Sequence, residues 1–119
     1  MTRPVTYLEL NSPDLARSRA FFEDVFGWEL QSFAADDYLV APAGDRPGID
    51  SALLASRDGQ PRAVPVVNVE SLAATTKDVA AHGGQVVVEP FTIPGVGRGC
   101  YVVDPAGLLV GLHENDPSA

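Results

Sequence analysis

The chain has 119 residues, with 8 basic and 16 acidic side chains and a formal net charge of −8. This acidic balance excludes the basic surface that nucleic acid or an anionic membrane would need. One cysteine, Cys100, excludes an intrachain disulfide and fits a reducing compartment. No apolar run approaches the roughly 20 residues that cross a bilayer, and no signal-peptide core is evident. We therefore expect one cytoplasmic domain over residues 1–119, without nucleic-acid or membrane partners.

The first half of the chain predicts a strand, a helix and three more strands. Residues Val5 to Leu10 alternate in polarity, as a half-buried strand does. Apolar residues then recur at helical spacing from Leu15 until Gly27 ends the run. Three β-rich stretches follow, around residues 28–33, 38–42 and 50–55. The Asp36-Asp37 pair predicts a turn between two of them.

The second half repeats this plan. A helix from about Ser71 to His82, which Gly83-Gly84 ends, follows the first strand. The strands are predicted at residues 64–69, 85–89, 99–103 and 108–113. Adding about 57 to the numbers of the first half places Asp14 on Ser71 and Gly27 on Gly84, so two βαβββ modules, about 3–57 and 62–114, fill the chain. Each helix covers one face of its sheet, and we expect the other faces of two curved mixed sheets to form a cleft.

Strand periodicity divides the side chains of each sheet between two faces. The cleft face is expected to carry Tyr7, Glu9, Ser51, Val66 and His113. The residues expected to pack under the helices are Leu8, Leu10, Val67, Val110 and Leu112. Asn68 corresponds to Asn11 in the repeat, and we assign both to capping the helix or turn that follows.

Several motifs in this order resemble one protein family. They are the D-x-x-R-x-x-x-F-F-x-x-x-F-G-W run from Asp14 to Trp28, the Gly83-Gly84 helix stop, and the turns IPGVG and DPAG. Over nearly the whole chain the sequence closely resembles the vicinal oxygen chelate superfamily of glyoxalases, bleomycin resistance proteins and extradiol dioxygenases. The resemblance implies an α+β fold of two βαβββ modules around a cleft. It also implies a homodimer, because small members of the family usually pair.

The resemblance further implies where a metal would bind. Metal enzymes of the family draw one ligand, usually His, Gln or Glu, from each first strand and each last strand. Carried onto this sequence, the four positions are Tyr7, Ser51, Val64 and Gly111. Val and Gly have no donor side chain, and a slip of one residue would turn every side chain to the other face. We therefore expect neither a bound metal nor another cofactor.

The remaining polar and aromatic residues of these strands are candidates for a small-molecule site. Glu9 lies either in the cleft or at a subunit interface. His113 serves as a relocated metal ligand, in proton transfer, or as a histidine at the solvent edge. The predicted ligand-binding set is Tyr7, Glu9, Trp28, Tyr38, Ser51, Val66 and His113.

Three functions are compatible with these residues. The first is a metal-independent protein of the bleomycin-resistance type that sequesters a small aromatic or antibiotic-like compound. The second is an enzyme that uses Glu9, Tyr7 and His113 as general acids or bases on a carbonyl or vicinal-oxygen substrate. The third is a lyase, isomerase or dioxygenase whose non-standard metal site is completed by a partner subunit. The third is the weakest, because the chain has no full ligand set to contribute.

Overall fold

A computed structural model describes residues 2–119. The chain divides into two compact units. The first unit is residues 7–64, and the second is residues 65–119 together with residues 2–6. The elements are β1 (Val5–Ser12), α1 (Leu15–Phe26), β2 (Gln31–Phe33), β3 (Ala35–Ala41), β4 (Asp50–Ala55), β5 (Arg62–Asn68), α2 (Leu72–Ala81), β6 (Gln85–Ile93), β7 (Gly97–Val103) and β8 (Leu109–Asn115). The order βαβββ occurs twice, which confirms the predicted α+β fold.

The strands of the first unit form a mixed sheet in the order β2-β3-β4-β1. Strand β4 runs parallel to β1 and antiparallel to β3. Leu10 pairs with Leu53, and Leu53 pairs with Leu39, so these three side chains share a face. They pack with Leu15 and Phe22 of α1, and we call this side the helix face of the first sheet. The prediction that Leu10 lies under the helix is confirmed.

Helix α1 is bounded by the residues that the sequence indicates. The Asp14 side chain accepts a hydrogen bond from the Arg17 N–H at 3.2 Å. Gly27 ends the helix with a left-handed φ of 68°, which glycine adopts without steric cost. The turn predicted at Asp36-Asp37 is wrong, because both residues lie within β3 and the chain reverses at Ala34, with a φ of 64°. Pairing with β2 overrides the local turn preference of two aspartates.

The second unit repeats the arrangement with the strand order β5-β8-β7-β6. Strand β8 runs parallel to β5 and antiparallel to β7. Val67, Val110 and Leu112 pack with Leu72 and Val79 of α2, as predicted. These contacts define the helix face of the second sheet.

The start of α2 corrects one assignment. Ser71 accepts from the Ala74 N–H at 3.1 Å, and Glu114 accepts from the Leu72 N–H at 2.8 Å. Capping by Asn68 is therefore wrong. Its side-chain oxygen is buried and has no hydrogen-bond partner among residues 2–119.

At the end of α2, the correspondence between the two modules differs by one residue from the predicted one. Gly83 has a left-handed φ of 87°, so Gly83 rather than Gly84 is the structural counterpart of Gly27. No helix within residues 2–119 is long and apolar enough to cross a membrane.

Candidate functional site

The first sheet carries a buried carboxylate on the face opposite α1. Glu9 lies next to Leu10 in β1 and therefore points to the other side of the sheet, where it is 6% exposed. Tyr38 lies on the same side, because its neighbour Leu39 faces the helix. The Tyr38 hydroxyl donates to Glu9 Oε2 at 2.7 Å, and the Tyr7 and Tyr38 oxygens are 3.0 Å apart. Two strands thus assemble a hydrogen-bonded chain of Tyr7, Tyr38 and Glu9.

Both tyrosines of this chain are held in their protonated form. Burial raises the pKa of Tyr38 well above its usual range, and the negative charge of Glu9 adds to the effect. Burial also raises the pKa of Tyr7, with additional contributions from the charges of Glu9 and Asp50. Neither hydroxyl is a phenolate at neutral pH, so both act as hydrogen-bonding groups.

Two further residues, Asp50 and Phe33, border this hydrogen-bonded chain and were not in the predicted ligand-binding set. Asp50 lies beside Tyr7 in the β1–β4 register. The Phe33 ring lies 6.4 Å from that of Tyr38, with an interplanar angle of 58°, and Phe33 is 43% exposed. The polar chain is thus bordered by a second carboxylate and an exposed aromatic ring. No local signal identifies Asp50, because its place depends on how two distant strands pair.

The prediction that Ser51 shares a face with Tyr7 is wrong. Ser51 lies beside Leu8 in the β1–β4 pairing, and Ala52 lies beside Glu9. The error is one residue, which turns the side chain to the opposite face of the sheet. The β4 sequence, DSALLA, has no regular alternation of polar and apolar residues, so its register could not be assigned from sequence.

Trp28 is also separated from the hydrogen-bonded chain by the sheet. Its ring packs on the helix side, 4.7 Å from the ring of Phe22. Together with Ser51 it lines a surface cavity of about 440 Å³ that also includes Arg46 and Ile49. Trp28 and Tyr38 therefore do not present their rings on one surface, as a shared ligand would require.

The corresponding face of the second sheet is closed by packing. The β5–β8 register places Val66 beside Gly111, and His113 lies on the same face two residues later, as predicted. A Cβ atom added at Gly111 would lie 3.0 Å from Val66 Cγ2 and 3.3 Å from Tyr101 Cε1. The Tyr101 ring in turn stacks on Phe91, with centroids 6.2 Å apart. A side chain at residue 111 would therefore require Val66 and Tyr101 to move by a few tenths of an ångström.

His113 is half-buried on this face of the second sheet. Burial lowers the pKa of its imidazole, and the charge of Glu114 opposes this effect. The ring is therefore neutral at neutral pH and able to accept a proton or a hydrogen bond.

The second unit also has a surface cavity of about 380 Å³ near its N-terminal residues. Its lining includes Arg3, Asn68, Glu70 and Asn115. The buried side-chain oxygen of Asn68 lies in this region, on a different element from the chain of Tyr7, Tyr38 and Glu9.

The four positions that the family uses for metal ligands do not fit a divalent ion in this chain. Val64 and Gly111 supply no donor, and the space at Gly111 is filled by its neighbours. Ser51 faces the helix, and the Tyr7 hydroxyl is hydrogen-bonded to Tyr38. Within residues 2–119, no group of three or more His, Cys, Asp or Glu side chains could hold a metal ion.

Comparison of the sequence with known protein families identifies the family of this chain. The model of the Glyoxalase/Bleomycin resistance protein/Dioxygenase superfamily matches residues 5–112. The chain belongs to this superfamily. Membership of this superfamily accounts for the repeated βαβββ order, because its fold consists of two such modules.

Individual relatives include proteins that are considerably longer. The chain is 35% identical over 111 residues to "Putative glyoxylase CFP32" of Mycobacterium bovis, covering 90% of this chain and 41% of that protein. It is 30% identical over 119 residues to "Anthracycline biosynthesis protein DnrV" of Streptomyces peucetius, covering 85% and 43%. The chain thus spans about two fifths of the length of these curated relatives.

Among solved structures, the fold is similar to that of methylmalonyl-CoA epimerase from Mycobacterium tuberculosis. The TM-score is 0.72 at 17% sequence identity, and the match covers 94% of this chain and 87% of the epimerase. Likeness at this level of identity concerns the fold alone.

Proposed function

We propose that this superfamily member binds a small aromatic molecule at the face of the first sheet that carries Tyr7, Tyr38 and Glu9. The observation behind the proposal is the chain of two hydroxyls that ends on a carboxylate only 6% exposed. Tyr7 and Tyr38 are half-buried, so these hydrogen-bonded side chains are not sealed inside the core. A few polar groups held in fixed geometry beside apolar surface are typical of small-molecule sites.

Two observations support an aromatic ligand. Phe33 is 43% exposed beside Tyr38 and offers a ring face or edge for contact. The relative DnrV is named for anthracycline biosynthesis, and anthracyclines contain fused aromatic rings. We propose that the ligand stacks near Phe33 while its polar end reaches Tyr7.

The proposed binding does not use a metal. This follows from the donor set, because Val64 and Gly111 contribute no ligand atom. The experiment for this part is elemental analysis after preparation with added zinc, manganese, iron and nickel. About one tightly held equivalent per chain would contradict it.

A second candidate is an enzyme that removes a proton from a carbonyl substrate. The chain of hydrogen bonds favours it, because a proton given to Tyr7 could be relayed through Tyr38 to Glu9. Glu9→Gln would then lower turnover about a hundredfold or more while affinity changes little. Mass spectrometry of a bound carbonyl compound distinguishes the candidates, since a binding protein releases it unchanged.

We also propose that the protein is a homodimer. Large apolar side chains are exposed on α1 and on β6: Phe21, Val25, Phe26, Val87, Val88 and Phe91. Exposed apolar patches of this kind are suited to contact with a second copy. Light scattering across a hundredfold range of concentration should give the mass of two chains, and a monomer throughout would contradict the proposal.

The binding proposal is tested by a thermal-shift screen of small aromatic compounds, followed by calorimetry on those that stabilise the protein. Tyr7→Phe should weaken binding by about threefold to tenfold, because it removes one hydrogen bond to the ligand. Ser51→Ala is the matched control, since it removes a hydroxyl from the other face of the same sheet. Equal losses in both variants, or none in Tyr7→Phe, would contradict the proposed site.

A further inference from the structure

The chain of Tyr7, Tyr38 and Glu9 has a direction that determines what it can bind. A tyrosine hydroxyl carries one hydrogen, whereas an ionised carboxylate carries none and only accepts. Tyr38 places its hydrogen on Glu9, at 2.7 Å. The Tyr38 oxygen therefore has only lone pairs to offer Tyr7, 3.0 Å away. It follows that Tyr7 donates its own hydrogen to Tyr38.

The reverse order is less stable. If Tyr38 donated to Tyr7, Glu9 would lose the bond from Tyr38 at a position only 6% exposed. Hydrogen bonds to a charged group are roughly twice as strong as those between neutral groups. Loss of such a bond to a buried charge costs more than loss of the bond between two hydroxyls. The order Tyr7 to Tyr38 to Glu9 is therefore the stable one.

With its hydrogen used in this way, Tyr7 presents only oxygen lone pairs to a neighbouring molecule. Building on the proposed function, we infer that this site selects aromatic ligands that carry a hydrogen-bond donor, such as a ring N–H or a phenolic O–H. Ligands of similar shape that only accept hydrogen bonds are disfavoured, because two acceptors would face each other. The selectivity comes from Tyr38 and Glu9, which need not touch the ligand.

The charges around Tyr7 act in the same sense. Asp50 lies beside Tyr7 in the β1–β4 register, and one of its oxygens accepts from the Ala43 N–H at 2.8 Å. The Tyr7 hydroxyl thus experiences the negative charges of both Glu9 and Asp50. Negative charge attracts the positive end of a donor group and repels an acceptor lone pair.

The test uses two planar bicyclic probes of opposite polarity. Indole donates through its N–H and has no acceptor lone pair in the ring plane, whereas quinoline accepts through its nitrogen and has no donor. Dissociation constants come from NMR titration of the protein at neutral pH. We expect the wild type to bind indole about threefold to tenfold more tightly than quinoline, which is the effect of one hydrogen bond.

Two variants separate this selectivity from simple contact. Tyr38→Phe leaves the Tyr7 hydroxyl free to donate, so the affinity for quinoline should rise about threefold or more relative to the affinity for indole. Tyr7→Phe removes the hydroxyl at the end of the chain, so the preference for indole should disappear. Circular dichroism shows whether each variant is folded. If Tyr38→Phe does not fold, the loss of the preference for indole in Tyr7→Phe is sufficient to test the inference.

The possible results separate the inference from the function on which it rests. Equal affinity of the wild type for indole and quinoline would overturn the inference and leave aromatic binding intact. Tighter binding of quinoline than of indole would also overturn it. If neither probe shifted resonances of Tyr7, Glu9 or Tyr38, aromatic binding at this face and the inference would both be contradicted.

Discussion

The two units share one plan but carry different chemistry on corresponding faces of their sheets. In the first unit, Tyr38 and Glu9 are joined by a hydrogen bond of 2.7 Å. In the second, Val66 and Tyr101 close over Gly111 so tightly that a Cβ atom would lie 3.0 Å from Val66. The helix faces of both units are apolar and similar. Repetition of the fold is therefore maintained by the helix faces, whereas the opposite faces are free to acquire different functions.

The largest effect on stability is expected from disrupting the polar face of the first sheet, which carries Tyr7, Tyr38 and Glu9. Tyr38→Phe removes the hydroxyl that donates to Glu9, and the free energy of unfolding should fall by about 1.5–3 kcal/mol, as for other hydrogen bonds to charged groups. Urea denaturation measures it. Glu9→Gln keeps an acceptor for Tyr38 and should cost less. An equal or greater loss in Glu9→Gln would contradict this order, because the hydrogen bond from Tyr38 would then not be the main contribution.

A slightly smaller effect on stability is expected from disturbing the packing of Val66 and Tyr101 around Gly111 in the second sheet. Gly111→Ala adds a methyl group against Val66 and should cost about 1–3 kcal/mol by overpacking. Adding Val66→Ala makes room for the methyl group, so the cost of Gly111→Ala should be smaller in that background. The free energies of unfolding of the wild type, the two single variants and the double variant give the coupling energy between residues 66 and 111. Additive costs would show that Val66 does not limit this position.

The ends of both helices and their apolar stripes could be predicted from the sequence. Helices α1 and α2 begin at or next to the predicted positions, after Asp14 and Ser71, and Leu10 and Val67 pack under them. These features depend on spacing within a short stretch of chain, which the sequence contains directly.

The composition of the site could not be predicted in the same way. Ser51 was placed one residue out of register, and Asp50 was not recognised, because strand pairing between β1 and β4 joins residues about forty positions apart. Trp28 was expected beside Tyr38 because both are aromatic residues of neighbouring segments. Packing on Phe22 places Trp28 on the helix side instead.

The smallest effect concerns His113 in the second unit. Burial lowers the pKa of its imidazole below the ordinary value of about 6.5. The unfolded chain then binds a proton at higher pH than the folded chain, so stability should fall as the pH drops through about 6.5 and level off below the folded pKa. The NMR titration of the His113 ring should have its midpoint below about 6.5, and His113→Gln should remove this part of the pH dependence. A midpoint above that value would contradict the effect of burial.

The most direct test of the account is to locate a bound aromatic molecule on the chain. Indole added to isotopically labelled protein should shift the amide resonances of Tyr7, Glu9 and Tyr38, and Tyr7→Phe should weaken that binding by about threefold to tenfold. Shifts confined to Trp28 and Ser51, or to the cavity at Asn68, would place the ligand elsewhere. That result would contradict the central claim that the polar face of the first sheet is the binding site.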